Sequence, residues 1–172
     1  MPSLYDISIP VFIRGLKNMD AFLDKGAAHF AAAGRPESEL TTARLYEDMA
    51  PLTAQIQRAS DAAKGTAVRV GGVENIVLGD TEVTIADLKA RIAATVAFLE
   101  KVPHDAFDGK DDATVELALP SRTWVFTGRS YVLEFAIPNF FFHVTTAYAL
   151  LRKEGVPVGK ADYLGALEIK PH

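Results

Sequence analysis

An all-α fold, a four-helix bundle carrying one small β-hairpin, is what this sequence predicts. Three observations point to it. Alanine, a strong helix former, supplies 26 of the 172 residues. Four stretches repeat their apolar residues at steps of three and four, which stacks them on one helical face. Only one short stretch alternates with period two.

The first helix is expected over residues 4–33. Ser3 and Asp6 resemble a capping box, and Phe12, Leu16, Met19, Leu23, Ala27 and Phe30 form the apolar stripe. Gly34 and Pro36 close it, and Pro10 marks a kink or a second start. A second helix is expected from near Asp48, with Pro51 in its first turn. Its stripe is Met49, Leu52, Ile56, Ala59, Ala63 and Val70, and Gly71-Gly72 ends it. Residues 73–83 read as loop. The third helix opens on a capping box, Thr84-x-x-Asp87, and carries Ile85, Leu88, Ile92, Val96 and Leu99 until Pro103.

A polar stretch follows, then Val115, Leu117 and Leu119 alternate with Glu116 and Ala118 before Pro120-Ser121 and Trp124-Val125-Phe126. That pattern places the hairpin at about 114–127. The fourth helix spans roughly 131–153 and is closed by Gly155 and Pro157, leaving a tail, about 156–172, expected to lie extended on the surface. No linker or repeat divides the chain, so residues 1–172 are expected to form a single domain.

Charge and composition exclude several function classes. Eighteen Lys and Arg against 22 Asp and Glu give a net charge of −4, so no basic face is available for nucleic acid. Zero cysteine removes disulfides, thiolate metal sites and a cysteine nucleophile. No apolar run is long enough to span a membrane, and the opening residues lack a basic and apolar leader. A soluble, cytoplasmic, bacterial protein is the expectation.

The fourth helix is apolar on two sides. Phe140, Val144, Ala147 and Leu151 face the bundle, while Phe135, Phe142 and Ala149 lie nearly opposite. Leaving such rings in water forfeits several kcal/mol, at roughly 1.5–3 kcal/mol per phenylalanine. Either the hairpin, through Trp124 and Phe126, or a second copy of the protein covers that outer stripe.

Chemistry is sparse. No phosphate loop, nucleophile elbow or His-Glu-x-x-His pair occurs. Of the four histidines, His172 and His104 are expected in solvent and His29 at the bundle boundary. His143 points inward on the fourth helix and must hydrogen-bond there; Gln55 and Asp48 on the second helix are the nearest polar partners by pattern. Asp61 and Lys64 read as a solvated i, i+3 pair. Gly65, costly inside a helix, suggests close approach of another backbone or a ligand.

Several strings together resemble one family. They are Asp48-Met49-Ala50-Pro51-Leu52, Ala59-Ser60-Asp61-Ala62-Ala63-Lys64-Gly65, Pro138-Asn139-Phe140-Phe141-Phe142-His143, and Gly155-Val156-Pro157-Val158-Gly159-Lys160 followed by Asp162-Tyr163-Leu164-Gly165. The chain is similar to an uncharacterised bacterial domain-of-unknown-function family within the DinB/YfiT-like superfamily. The resemblance implies an up-down-down-up four-helix bundle, often dimeric, whose wider relatives hold a metal with three histidines, one on helix two and two on helix four. Here only His143 falls in that region; Ala147 stands at its i+4 position and Gln55 is the nearest polar residue on helix two.

Three functions follow as expectations. The first is a protein with no assignable activity that binds a small ligand in a polar pocket at His143, Gln55 and Asp48, with no cofactor. The second is a metal-dependent enzyme of thiol-transfer or hydrolytic type with an incomplete site, His143 being its one candidate ligand. The third is a non-catalytic homodimer joined through Phe135, Phe142 and Ala149 of helix four.

Overall fold

The computed structural model describes residues 2–170. A tight turn over residues 4–8 precedes α1 (Ile9–Ala32), and a short α2 (Glu37–Thr41) follows it. Next come α3 (Leu52–Arg69), α4 (Ile85–Leu99) and a 3-10 turn at His104–Phe107. The hairpin pairs β1 (Thr114–Leu119) with β2 (Arg122–Thr127) antiparallel, in a register that sets Leu117 opposite Trp124. It runs into a single helical turn, α5 (Gly128–Ser130), then a π-helical segment at Tyr131–Ala136, then α6 (Ile137–Lys153). A last short helix, α7 (Lys160–Leu164), lies against α1.

The four long helices share one core. Helix α3 packs on both α6 and α4, and α1 packs on α4 and α6. Alanines make the α3 contacts close: Ala59, Ala63 and Ala67 are buried on α3 and Ala147 on α6. Aromatic rings fill the wider gap between α1 and α6, where Phe12 and Phe140 lie 4.9 Å apart, centroid to centroid. Full burial of each such ring stabilises the fold by roughly 1.5–3 kcal/mol. Among the described residues no helix is long and apolar enough to cross a membrane.

Several expectations are corrected. The first helix begins at Ile9 rather than residue 4, so Pro10 marks a second start. Ser3 and Asp6 do exchange hydrogen bonds, at 2.9 and 3.2 Å, but they close a separate turn ahead of it. The second long helix begins at Leu52 with Pro51 as its N-cap, not near Asp48. Proline fixes an extended backbone for the residue before it, which pushes Asp48–Ala50 out of the helix. The tail is not extended along the surface throughout: Val156 and Val158 are buried in the core and α7 forms beyond them.

The fourth helix is not uniform either. Pro138, second residue of α6, has no N–H to donate, and in a regular helix its ring would crowd the carbonyl one turn back. The wider π winding of Tyr131–Ala136 takes up that mismatch.

Candidate functional site

Of the three polar residues that the sequence singles out, Gln55 on α3 and His143 on α6 meet. Gln55 and His143 are both buried, and Nδ1 of His143 lies 2.8 Å from Oε1 of Gln55. The Gln55 amide nitrogen donates to the carbonyl of Ala50 at 2.9 Å, which turns its oxygen toward the histidine. An amide oxygen only accepts, so Nδ1 of His143 carries the proton and Nε2 keeps a lone pair. Nε2 has no hydrogen-bond partner among the described residues and retains contact with solvent. Burial, reinforced by the positive charge of Arg58, lowers the His143 pKa to about 4. The imidazole is therefore neutral at pH 7.

Asp48 does not join them. It is exposed in the turn before α3 and makes no side-chain hydrogen bond among the described residues. Had α3 begun there, Asp48 and Gln55 would share a face, two turns apart; the later start at Leu52 removes that alignment. Among the described residues, cavities of about 330–840 Å³ open on the surface whose walls hold none of His143, Gln55 and Asp48.

Three other residues fall elsewhere than expected. Asp61 and Lys64 do approach, at 3.5 Å, but Asp61 also accepts from the buried Arg91 of α4 at 2.9 Å, so the pair belongs to a network joining α3 and α4. Beside Gly65 it is the guanidinium of Arg69, one turn along the same helix, and not another backbone, that fills the space a Cβ would take. His29 is half-buried, while His104 is exposed and bonded to Asp6 at 3.1 Å. His172 lies outside the described residues.

The sequence left two features of this surface unread. Arg58 forms no ion pair among the described residues, yet its charge acts on His143; its helical position, three residues past Gln55, was the available signal. A cavity of about 330 Å³ lies between α1, α6 and α7, with Arg14 and Asn18 in its wall. It depends on α7, which the expected extended tail did not contain.

The donor set decides the metal question that the resemblance raises. A catalytic divalent site ordinarily takes three protein ligands plus an open position. Here one imidazole faces an amide whose oxygen already accepts a proton, beside a guanidinium that repels cations. Among the described residues no cluster of three His, Cys, Asp or Glu side chains is placed to hold an ion. The residues present do not fit the three-histidine metal.

Fold and site together define a DinB-like helical protein in which a buried histidine–glutamine link occupies the cross-helix position. The chain belongs to the family described as "Domain of unknown function (DUF1993)", whose model matches residues 4–164. It is 37% identical to a solved DinB family member protein from Shewanella denitrificans; the match covers 98% of this chain and 96% of that one, with a TM-score of 0.90. No curated protein matches it. No activity is assignable from these relationships.

Proposed function

We propose that the chain is a non-catalytic interaction protein of the cytoplasm that pairs with a second copy of itself across the outer face of α6, its long helices ordered up-down-down-up. The observation carrying this reading is the incomplete cover of the outer stripe. Phe135 is half-buried under the hairpin, within 6.0 Å of the Trp124 ring and 5.9 Å of Phe126. Phe142 is 56% exposed. Phe135, Pro138, Phe142, Thr145 and Ala149 follow at steps of three and four, and a hollow opens at each end of that line. An uncharged, partly exposed stripe centred on an exposed phenylalanine supports a protein interface. None of its five residues is charged, so a two-fold contact, in which the stripe meets the same stripe of the second copy, brings no like charges of the stripe together. The cysteine-free composition supports a reducing compartment.

Sedimentation of the wild type and Phe142→Glu tests it. The expected outcome is twice 18.6 kDa for the wild type and 18.6 kDa for the variant. A monomeric wild type at tens of micromolar ends this reading.

A second reading, a small ligand held at His143 and Gln55, is favoured by the unpartnered Nε2. Nitrogen-15 NMR of the imidazole during a screen of small hydrogen-bond donors tests it; an Nε2 shift that no donor moves argues against it.

A further inference from the structure

We infer that the cavity between α1, α6 and α7 is a binding site for a small monocarboxylic acid with an apolar body. The cavity, about 330 Å³, is walled by Val11 on α1, Phe141 and Val144 on α6, and Leu164 on α7. That volume lies in the range of small-molecule sites, which combine apolar walls with a few placed polar groups.

The chemistry of the ligand follows from which polar groups in the wall are already taken. The Asn18 amide nitrogen donates to the carbonyl of Tyr163 at 3.0 Å. The Tyr163 hydroxyl lies 3.0 Å from Oγ1 of Thr145. Arg14 is different. It is exposed, one of its five N–H groups holds the Leu164 carbonyl at 2.5 Å, and no carboxylate lies within 4.0 Å of it among the described residues. The wall thus offers one cation with free donors, beside the Asn18 amide, whose oxygen has no hydrogen-bond partner among the described residues. A planar guanidinium matches the two oxygens of a carboxylate, while the remaining wall matches hydrocarbon. Beyond Arg14 and Asn18 the wall is mainly apolar, so a ligand with many hydroxyls, such as a sugar, would enter with most of them unpaired.

The Arg14 bond to Leu164 also positions the site. It fixes the guanidinium at the mouth and holds α7 as the far wall, helped by the Lys25–Asp162 ion pair at 2.6 Å. Site and helix dock together.

Calorimetric titration of the full chain at pH 7 with sodium octanoate, octan-1-ol and octylammonium chloride tests the inference. Octanoate is expected to bind one per chain, octanol about ten-fold more weakly and octylammonium not at all, since one charge-assisted hydrogen bond typically separates them by that factor. Arg14→Gln, which removes the charge and loosens α7, is expected to weaken octanoate by more than ten-fold and octanol by less, and Val11→Trp, which fills the cavity, to abolish both. Failure of octanoate to bind at millimolar concentration overturns the inference, as does equal binding of octanoate and octanol to the wild type. The second outcome is read without any variant, so a misfolded substitution does not obscure it. Both are read from the titration and not from the oligomeric state, so the failure of the self-association proposed for α6 is told apart from the failure of this site, although Phe141 borders both surfaces.

Discussion

The guanidinium of Arg69 reaches back across Gly65 and donates to the hydroxyl of Tyr131 at 3.0 Å, tying the end of α3 to the π-helical segment. Tyr131 is fully buried, so its hydroxyl needs a partner, and burial raises its pKa despite the nearby cation. Glycine at position 65 is what lets the arm pass. A Cβ there would overlap Nη1 of Arg69, though the flexible arm can move aside. Gly65→Ala is expected to destabilise by about 1 kcal/mol, the lost charge-assisted bond outweighing a helix-propensity gain of roughly 1 kcal/mol. In an Arg69→Ala background the same change is expected to stabilise by up to about 1 kcal/mol, because only propensity remains. Urea melts of the four proteins measure the cycle, and additive effects would show that the arm has no part in it.

His143 gives the fold a pH dependence with a definite sign. Its pKa is about 4 in the fold against an ordinary value of 6.5. Between those values the unfolded chain takes up a proton that the folded chain refuses, so stability is complete above pH 6.5 and falls as pH drops toward 4. The loss is on the order of 2–3 kcal/mol. His143→Gln, which can still donate to Gln55 but does not titrate, is expected to flatten the stability profile across that window. Identical slopes for wild type and variant would falsify the assignment.

Much of this was legible in the sequence, and what was not has physical causes. Helix periodicity located α4 and the inward face of α6, because Phe140, Val144, Ala147 and Leu151 obey spacing alone. The meeting of His143 with Gln55 was legible for the same reason: each falls on a helix face fixed by its apolar neighbours. The start of α3 was not, because a proline at position 51 suits the N-cap as well as the first turn. The π winding before Pro138 and the burial of Val156 and Val158 depend on tertiary packing, which leaves no periodic mark. Arg91 was passed over because an arginine reads as surface unless its partners, here on another helix and a loop, are known.

That arginine governs the loop over residues 73–83. Its side chain is 1% exposed, and it bonds Asp61, Asp80 and Glu82 at 2.9, 3.0 and 2.9 Å and the Gly79 carbonyl at 3.0 Å. Burial alone would raise the Glu82 carboxyl; bonds from Gln57 and Arg91 hold it below its usual value. Removing Arg91 leaves Glu82 largely desolvated without its cation, a change that typically costs about 3–5 kcal/mol. Arg91→Ala is expected to lose about 3 kcal/mol and to make residues 76–82 readily cut by protease. Cleavage there at the wild-type rate would mean the loop holds its place without the arginine.

The join between hairpin and π-segment rests on Gly128. Its N–H donates to the Ala113 carbonyl at 2.8 Å, and the N–H of Arg129 donates to the Asp111 carbonyl at 2.9 Å, so residues 110–113 lie directly against its Cα. A Cβ at 128 would overlap the carbonyl oxygen of Lys110, which is backbone and has no rotamer to escape into. Relief requires lifting that loop and losing both hydrogen bonds. Overpacking costs typically about 1–3 kcal/mol, and Gly128→Ala is expected at the upper end, with weaker hairpin packing on Phe135. Gly159→Ala is the control: no atom lies within 4 Å of the added methyl, and its φ of −128° suits any residue. That change is expected to cost no more than about 1 kcal/mol, the difference between glycine and alanine at the N-cap of α7. Thermal melts of the two variants separate contact from glycine chemistry as such, and equal melting temperatures would show that the Lys110 carbonyl yields without cost.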